Sequence, residues 1–193
     1  MEKTFEVLKK IKDKNARIGR IVTAHGVVNT PVFIPVGTQA TVKTLSPKEL
    51  EEVGVELVLI NTYYLFLRPG VDIIEKAGGL HKFMGWSRPI ISDSGGYQVF
   101  SLADLRKISE EGVEFQSHID GARHFFSPEK AIDFQVNLAS DIMMCFDECT
   151  PYPCVKDYAT RSMELTLRWA RRCRKEYNNR FSSPNSRWLF GII

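Results

Sequence analysis

The spacing of hydrophobic positions changes rhythm near residue 37. Before that point, Phe5-Glu6-Val7-Leu8 and Ala16-Arg17-Ile18-Gly19-Arg20-Ile21-Val22 partly alternate, with Asp13-Lys14-Asn15 between them. Such alternation predicts half-buried strands joined by a turn. His25-Gly26 marks a second turn, and Pro31-Val32-Phe33-Ile34-Pro35-Val36-Gly37 reads as the strand that follows. Farther on, short unbroken apolar runs take over. Leu57-Val58-Leu59-Ile60 ends at Asn61-Thr62, Pro89-Ile90-Ile91-Ser92 ends at Asp93, and Asp141-Ile142-Met143-Met144-Cys145-Phe146 ends at Asp147-Glu148. Trp188-Leu189-Phe190-Gly191-Ile192-Ile193 is one more such run.

Helices are predicted between these runs. Ser46-Pro47-Lys48-Glu49 carries Ser at N-cap, Pro at N1 and Glu at N3, a capping box for a helix that stops near Gly54. Residues 71–77 form a short helix closed by Gly78-Gly79, Ser127-Pro128-Glu129 opens another to about Ala139, and a long helix runs roughly from Lys156 to Tyr177. Arg180 to Ser186 reads as a loop. Residues 112–126 alternate around Asp120-Gly121, predicting a β-hairpin inserted between the units.

Buried strands alternating with helices mean parallel βα units, and the runs make about five strands. The predicted fold is α/β of the (β/α)8 TIM-barrel type, truncated after those strands. An N-terminal antiparallel sheet occupies residues 1–30, and residues 31–193 form the first βα units of a single barrel domain. A closed barrel needs about 250 residues, and the last apolar run has no cap, so a longer polypeptide is expected. An open doubly wound sheet is the alternative, but no G-x-G-x-x-G turn follows the first strand.

Composition sharpens this only slightly. The 193 residues are 44% hydrophobic and 25% charged, values of an ordinary globular chain. With 26 Lys and Arg against 23 Asp and Glu, the net charge is +3; this permits a nucleic-acid partner without requiring one. No apolar run has membrane-span length and the start resembles no signal peptide, so a cytoplasmic protein with no membrane partner is expected. Cys145, Cys149, Cys154 and Cys173 form no C-x-x-C pair. They read as free thiols in a reducing compartment, with no metal ligand set in this chain. His25 reads as a turn residue; His81, His118 and His124 lack metal spacing and read as pocket-rim or structural residues.

The polar strand ends concentrate the chemistry. A parallel barrel brings its strand carboxyl ends to one face, so Asp93 and Asp147 are expected to meet across a pocket. Paired carboxylates suit reaction at a glycosidic carbon, whose transition state resembles an oxocarbenium ion. They also suit acid–base work when burial separates their pKa values. Gly95-Gly96 permits positive φ and close approach. Taken alone, Asp93-Ser94 reads as a turn or helix cap in preference to a catalytic group, and Asp147 also reads as a cap for the turn into Thr150-Pro151. Spacing also leaves open whether Tyr97 stacks on a base or sugar or fills the core.

Longer motifs add a resemblance. Ile91-Ser92-Asp93-Ser94-Gly95-Gly96-Tyr97-Gln98-Val99 and Phe146-Asp147-Glu148-Cys149-Thr150-Pro151-Tyr152-Pro153 resemble the bacterial tRNA-guanine transglycosylase (queuine tRNA-ribosyltransferase) family. So do Pro35-Val36-Gly37-Thr38-Gln39-Ala40, Asn61-Thr62-Tyr63, Leu67-Arg68-Pro69-Gly70, Gly78 to Trp86 and Ser117-His118-Ile119-Asp120-Gly121, in order along nearly the whole chain. The resemblance implies a (β/α)8 barrel with an N-terminal sheet and a zinc-bearing subdomain. It implies exchange of guanine at the wobble position of tRNA with a GUN anticodon for preQ1, a 7-deazaguanine, in queuosine biosynthesis. Asp93 then takes the general acid/base role, Asp147 reads the donor edge of the base, Tyr97 stacks, and Ser94 with Gly95 and Gly96 lines the base site. Asn61, Gln98 and Cys149 are supporting candidates.

Departures from the family pattern limit what is implied. The family's nucleophilic aspartate, its Cys/Cys/Cys/His zinc site and most of its tRNA-contacting basic residues have no counterpart in these 193 residues. The chain alone is therefore expected to be inactive, with Zn2+ and a homodimer belonging to the intact protein. Tyr64 stands where many bacterial members carry His, predicting a modest change at the pocket wall. A barrel N-glycoside hydrolase and a non-catalytic binding or assembly fragment remain the alternatives. The basic run Arg168-Trp169-Ala170-Arg171-Arg172-Cys173-Arg174-Lys175 reads as a solvated helix face rather than a phosphate stripe.

Overall fold

A computed structural model describes residues 4–102, 106–181 and 187–192. Strands β1 (Phe5–Lys10), β2 (Arg17–Thr23) and β3 (Gly26–Thr30) form the antiparallel N-terminal sheet. Val28 carries this sheet into the core, where it joins Leu57, Ile91 and Ile142. The strand expected from Pro31 shrinks to β4 (Val36–Gly37), because Pro31 and Pro35 have no N–H to give a ladder.

Helix α1 (Pro47–Glu52) follows, and its capping box forms: Glu49 N–H donates to Ser46 Oγ at 3.3 Å and Ser46 N–H to Glu49 Oε2 at 2.7 Å. After β5 (Val58–Ile60) come three short helices, α2 (Thr62–Leu67), α3 (Val71–Lys76) and α4 (Leu80–Met84). Only α3 was expected from the sequence. Asn61 occupies the N-cap of α2 without capping it, since its side chain serves Asp93 instead.

Strand β6 (Ile90–Ser92) leads through a turn into α5 (Gly96–Leu102). The predicted hairpin is a three-stranded sheet, β7 (Arg106–Ile108), β8 (Val113–Gln116) and β9 (Arg123–Phe126), in that order. Helix α6 (Pro128–Leu138), capped by Ser127, precedes β10 (Ile142–Met144). Helix α7 (Lys156–Arg180) then returns to β11 (Trp188–Phe190). The helix absorbs Arg180 from the expected loop; residues 182–186 lie outside the described residues.

The parallel sheet has the order β4-β5-β6-β10-β11. Each strand thus neighbours the next one of its kind along the chain, as successive βα units usually do. A cluster around Phe115, Phe126, Phe146 and Trp169 fixes the inserted sheet against α6 and α7, with the Phe146 and Trp169 rings stacked at 5.0 Å. Among the described residues no helix is long and apolar enough to cross a membrane.

Candidate active site

Parallel pairing places Asn61, Asp93 and Asp147 just beyond the carboxyl ends of β5, β6 and β10. The Asp93 carboxylate is held from four directions. Asn61 Nδ2 donates to Oδ2 at 2.6 Å and Gln98 Nε2 donates to it at 3.0 Å; Thr62 N–H and Gly95 N–H donate to Oδ1 at 2.8 and 3.2 Å. Thr62 Oγ1 also donates to the Asp93 carbonyl at 2.6 Å. Burial pushes the Asp93 carboxyl up despite these four donors, because desolvation disfavours the charged form.

Asp147 lies beside it. Ser94 Oγ donates to Asp147 Oδ1 at 3.0 Å and accepts the Gly96 N–H at 3.2 Å. Burial raises the Asp147 pKa as well, and the neighbouring Asp93 and Glu148 charges add to the shift. The two glycines do different work. Gly95 has φ +81°, a conformation that side chains resist, whereas a Cβ on Gly96 would lie 2.6 Å from Asp147 Oδ1. Tyr97, on the first turn of α5, is 62% exposed, which presents its ring rather than burying it. Cys149 is half-buried, and burial with the Asp147 and Glu148 charges pushes its thiol up; this is the opposite of an activated nucleophile.

Sequence reasoning named Asn61 and its partners but passed over Thr62, although Asn61-Thr62 was recognised as a polar strand end. It also missed Glu148, which is buried and accepts the Tyr158 hydroxyl at 2.6 Å. That carboxylate pushes the Tyr158 hydroxyl up to about 12. Tyr64 meets His118 edge-on at 5.9 Å, and His118 Nδ1 lies 2.9 Å from the Tyr63 hydroxyl. A narrow cavity beside Asp147 is lined by Gly96, Phe100, Arg106, Glu148 and Cys149. A larger cavity of about 550 Å³ opens elsewhere, between the N-terminal sheet and β11, and the described residues that line it include no carboxylate.

The residues described do not fit the family's Cys-rich zinc site. All four thiols are free, and Cys145 and Cys173 are buried in the core. The one grouping of potential ligands among the described residues is His25, His81 and Asp141, residues too distant in sequence to show metal spacing. His25 Nδ1 faces Asp141 Oδ1 at 2.7 Å and His81 Nε2 faces Oδ2 at 3.2 Å. The rings stack at 3.5 Å and 18°, so their in-plane nitrogens aim side by side at two oxygens. His25 is hydrogen-bonded to Asp141, whereas the buried His81 Nε2 lies in ion-pair range of the acid without forming a hydrogen bond.

The fold is thus a parallel α/β sheet with two buried carboxyl groups just past the carboxyl ends of neighbouring strands, the edge at which such folds place their sites. The family model for queuine tRNA-ribosyltransferase matches residues 12–193. The chain belongs to the queuine tRNA-ribosyltransferase family. It is 59% identical over 189 residues to the queuine tRNA-ribosyltransferase of Thermoanaerobacter pseudethanolicus, covering 98% of this chain and 49% of that protein. The namesake from Acetivibrio thermocellus is 57% identical over 189 residues, covering 98% and 50%. That from Halothermothrix orenii is 55% identical over 193 residues, covering 100% and 50%. The chain thus spans about half the length of the curated relatives it matches.

Proposed function

We propose that this chain is the base-handling part of a tRNA-guanine transglycosylase, which exchanges guanine at the tRNA wobble position for a 7-deazaguanine such as preQ1. The observation that carries the reading is Asp93, a carboxyl raised by burial yet oriented by four donors at a strand end. Such a group favours its protonated form more than an ordinary aspartate does, and it is held where it can give and take a proton without moving. Asp93 protonates the departing base and takes the proton of the incoming one.

Asp147 is assigned to base reading. Its Oδ1 is engaged by Ser94, and a carboxylate accepts on both oxygens, so Oδ2 serves a donor edge such as guanine's. Tyr97 supplies an exposed ring for stacking. We read the five consecutive parallel strands as part of a (β/α)8 barrel. The cytoplasmic tRNA, the zinc and the homodimer are assigned to the whole protein. Neither Asp93 nor Asp147 is assigned attack on the ribose, so the chain by itself exchanges no base.

Labelled preQ1 and tRNA test this, using the chain and a whole protein that contains it. Incorporation of label into tRNA by the whole protein, lost in Asp93→Asn, is the expected result. Asp147→Ala should mainly weaken base binding. Release of free guanine with an abasic tRNA would instead indicate a hydrolase, and exchange by the 193-residue chain would overturn the assignment of its two carboxylates.

A further inference from the structure

The ladder between β6 and β10 stops early, and one side chain stops it. Strand β5 pairs with β6 from Val58↔Ile90 to Ile60↔Ser92, and β10 pairs with β11 from Ile142↔Trp188 to Met144↔Phe190. Between β6 and β10, only Ile142↔Ile91 is in register. Successive residues of a strand turn their N–H and C=O groups to opposite neighbours. Trp188 N–H donates to Asp141 O at 2.8 Å and Cys145 N–H to Phe190 O at 2.8 Å, so the Met144 N–H and C=O face β6. An unbroken parallel ladder would give them the Ser92 C=O and the Ser94 N–H.

Gln135 of α6 takes both places. Met144 N–H donates to Gln135 Oε1 at 2.8 Å, and Gln135 Nε2 donates to Met144 O at 2.9 Å. Ser92 Oγ donates to the same Oε1 at 2.9 Å, and Nε2 donates also to Ala131 O at 2.9 Å. Gln135, Ser92 and Ser140 are fully buried, with the Ser92 and Ser140 hydroxyl oxygens 2.7 Å apart. A buried primary amide is tolerated in a core only when its groups are paired, and here both donors and the acceptor are used. Just past the break, the diverging chains carry Asp93 and Asp147, which Ser94 bridges again from above.

We propose that Gln135 is a positioning residue whose amide stands in for a peptide unit of β6, holds β6 and β10 apart, and sets the separation of Asp93 and Asp147. Its functional consequence rests on the base-handling reading given above; its effect on the two carboxylates does not.

Two variants test it in the full chain. Gln135→Met keeps the volume and removes every hydrogen bond. Gln135→Glu pairs with both Met144 groups only while protonated. Three readouts apply: thermal melting, calorimetric affinity for preQ1, and carbon-13 titration of the Asp93 and Asp147 carboxyls. A folded Gln135→Met that binds preQ1 about tenfold more weakly and shifts both carboxyl midpoints is expected. Gln135→Glu should regain affinity relative to wild type as the pH falls. Wild-type affinity and midpoints in a folded Gln135→Met would overturn the proposal. If Gln135→Met does not fold, Gln135→Glu decides: acid recovery supports the role, and an unchanged ratio to wild type at every pH overturns it. If the wild-type chain binds no preQ1, the base reading fails for this chain, while the pH dependence of the carboxyl titrations still decides the role of Gln135.

Discussion

Asn61 Nδ2 stands 2.6 Å from Asp93 Oδ2, so the residue after β5 holds the acid after β6. Thr62, the next residue, adds its N–H and its hydroxyl to the same aspartate. One strand end therefore orients the carboxyl of its neighbour, and the in-register pairing of β5 with β6 brings the two together. The four donors favour the ionised form and burial opposes it more strongly. Asp93 is held in place at a cost to the fold.

That cost has a sign. The folded chain binds the Asp93 proton more tightly than the unfolded chain does, so the contribution of this group to stability falls as pH rises past the ordinary aspartate value of about 3.9. Asp93→Asn removes the titration, and the Asn61 and Gln98 amides can turn over to accept from the new NH2 group. The variant should melt higher than wild type at about pH 8, with the margin narrowing toward about pH 4. A lower-melting variant at the higher pH would show that lost hydrogen bonds outweigh relieved burial.

Gly95 and Gly96 should separate under mutation. Alanine at Gly95 is strained by φ +81° but meets side-chain carbon no closer than 3.3 Å, at Phe126. It should cost about 1 kcal/mol with base affinity nearly kept. Alanine at Gly96 collides with Asp147 Oδ1 and with its carbonyl oxygen at 2.7 Å. It should cost about 2 kcal/mol and displace the base-reading carboxylate, lowering preQ1 affinity well beyond the Gly95 variant. Urea titration and calorimetry on both variants check this; equal affinities would remove Asp147 from the base site.

The strand ends were legible because each apolar run closes on a polar residue, and parallel βα units give every such end the same face. The caps of α1 and α6 were legible for a similar reason, since Ser46 and Ser127 sit at N-caps followed by Pro. What escaped were elements without local signals. Helix α2 begins at an Asn61 whose side chain is committed elsewhere, and β7 shows itself only through its pairing with β8. The grouping of His25 and His81 around Asp141 joins residues far apart along the chain. Gln135 looked like one more helix residue. Its importance comes from a gap in a ladder, which periodicity along the chain does not encode.

Arg168 and Arg172 of the basic run on α7 are used for docking, while Arg171, Arg174 and Lys175 are exposed as expected. Arg172 donates to both Glu129 oxygens at 2.7 and 2.8 Å and to the Glu110 and Glu111 carbonyls at 2.6 and 3.0 Å; Arg168 holds the Glu110 carboxylate. These bonds tie α7 to α6 and to the turn before β8. Arg172→Ala should therefore cost about 1–2 kcal/mol and leave the salt slope of tRNA binding unchanged. A slope reduced by about one unit in the Arg172 variant would mean that this guanidinium contacts phosphate instead.

Asp141 makes the opposite pH prediction from Asp93. Burial pushes its carboxyl up, but the His81 ring beside it and hydrogen bonds from His25 and the Ile90 N–H outweigh that and hold it below the ordinary aspartate range. An acid depressed in the fold contributes stability above the unfolded value, about 3.9, and loses it as pH falls through the folded value. Because Asp141 is 3% exposed and joins the β2–β3 turn, α4 and the start of β6, removing it leaves the His25 and Ile90 donors and the nearby His81 ring facing an empty position. Asp141→Ala should cost about 3 kcal/mol at neutral pH. The difference from wild type should shrink in urea titrations as the pH falls below the unfolded aspartate value of about 3.9 and through the lower folded one. A loss of the same size at both pH values would assign the effect to packing around β10, with the charge of Asp141 contributing nothing.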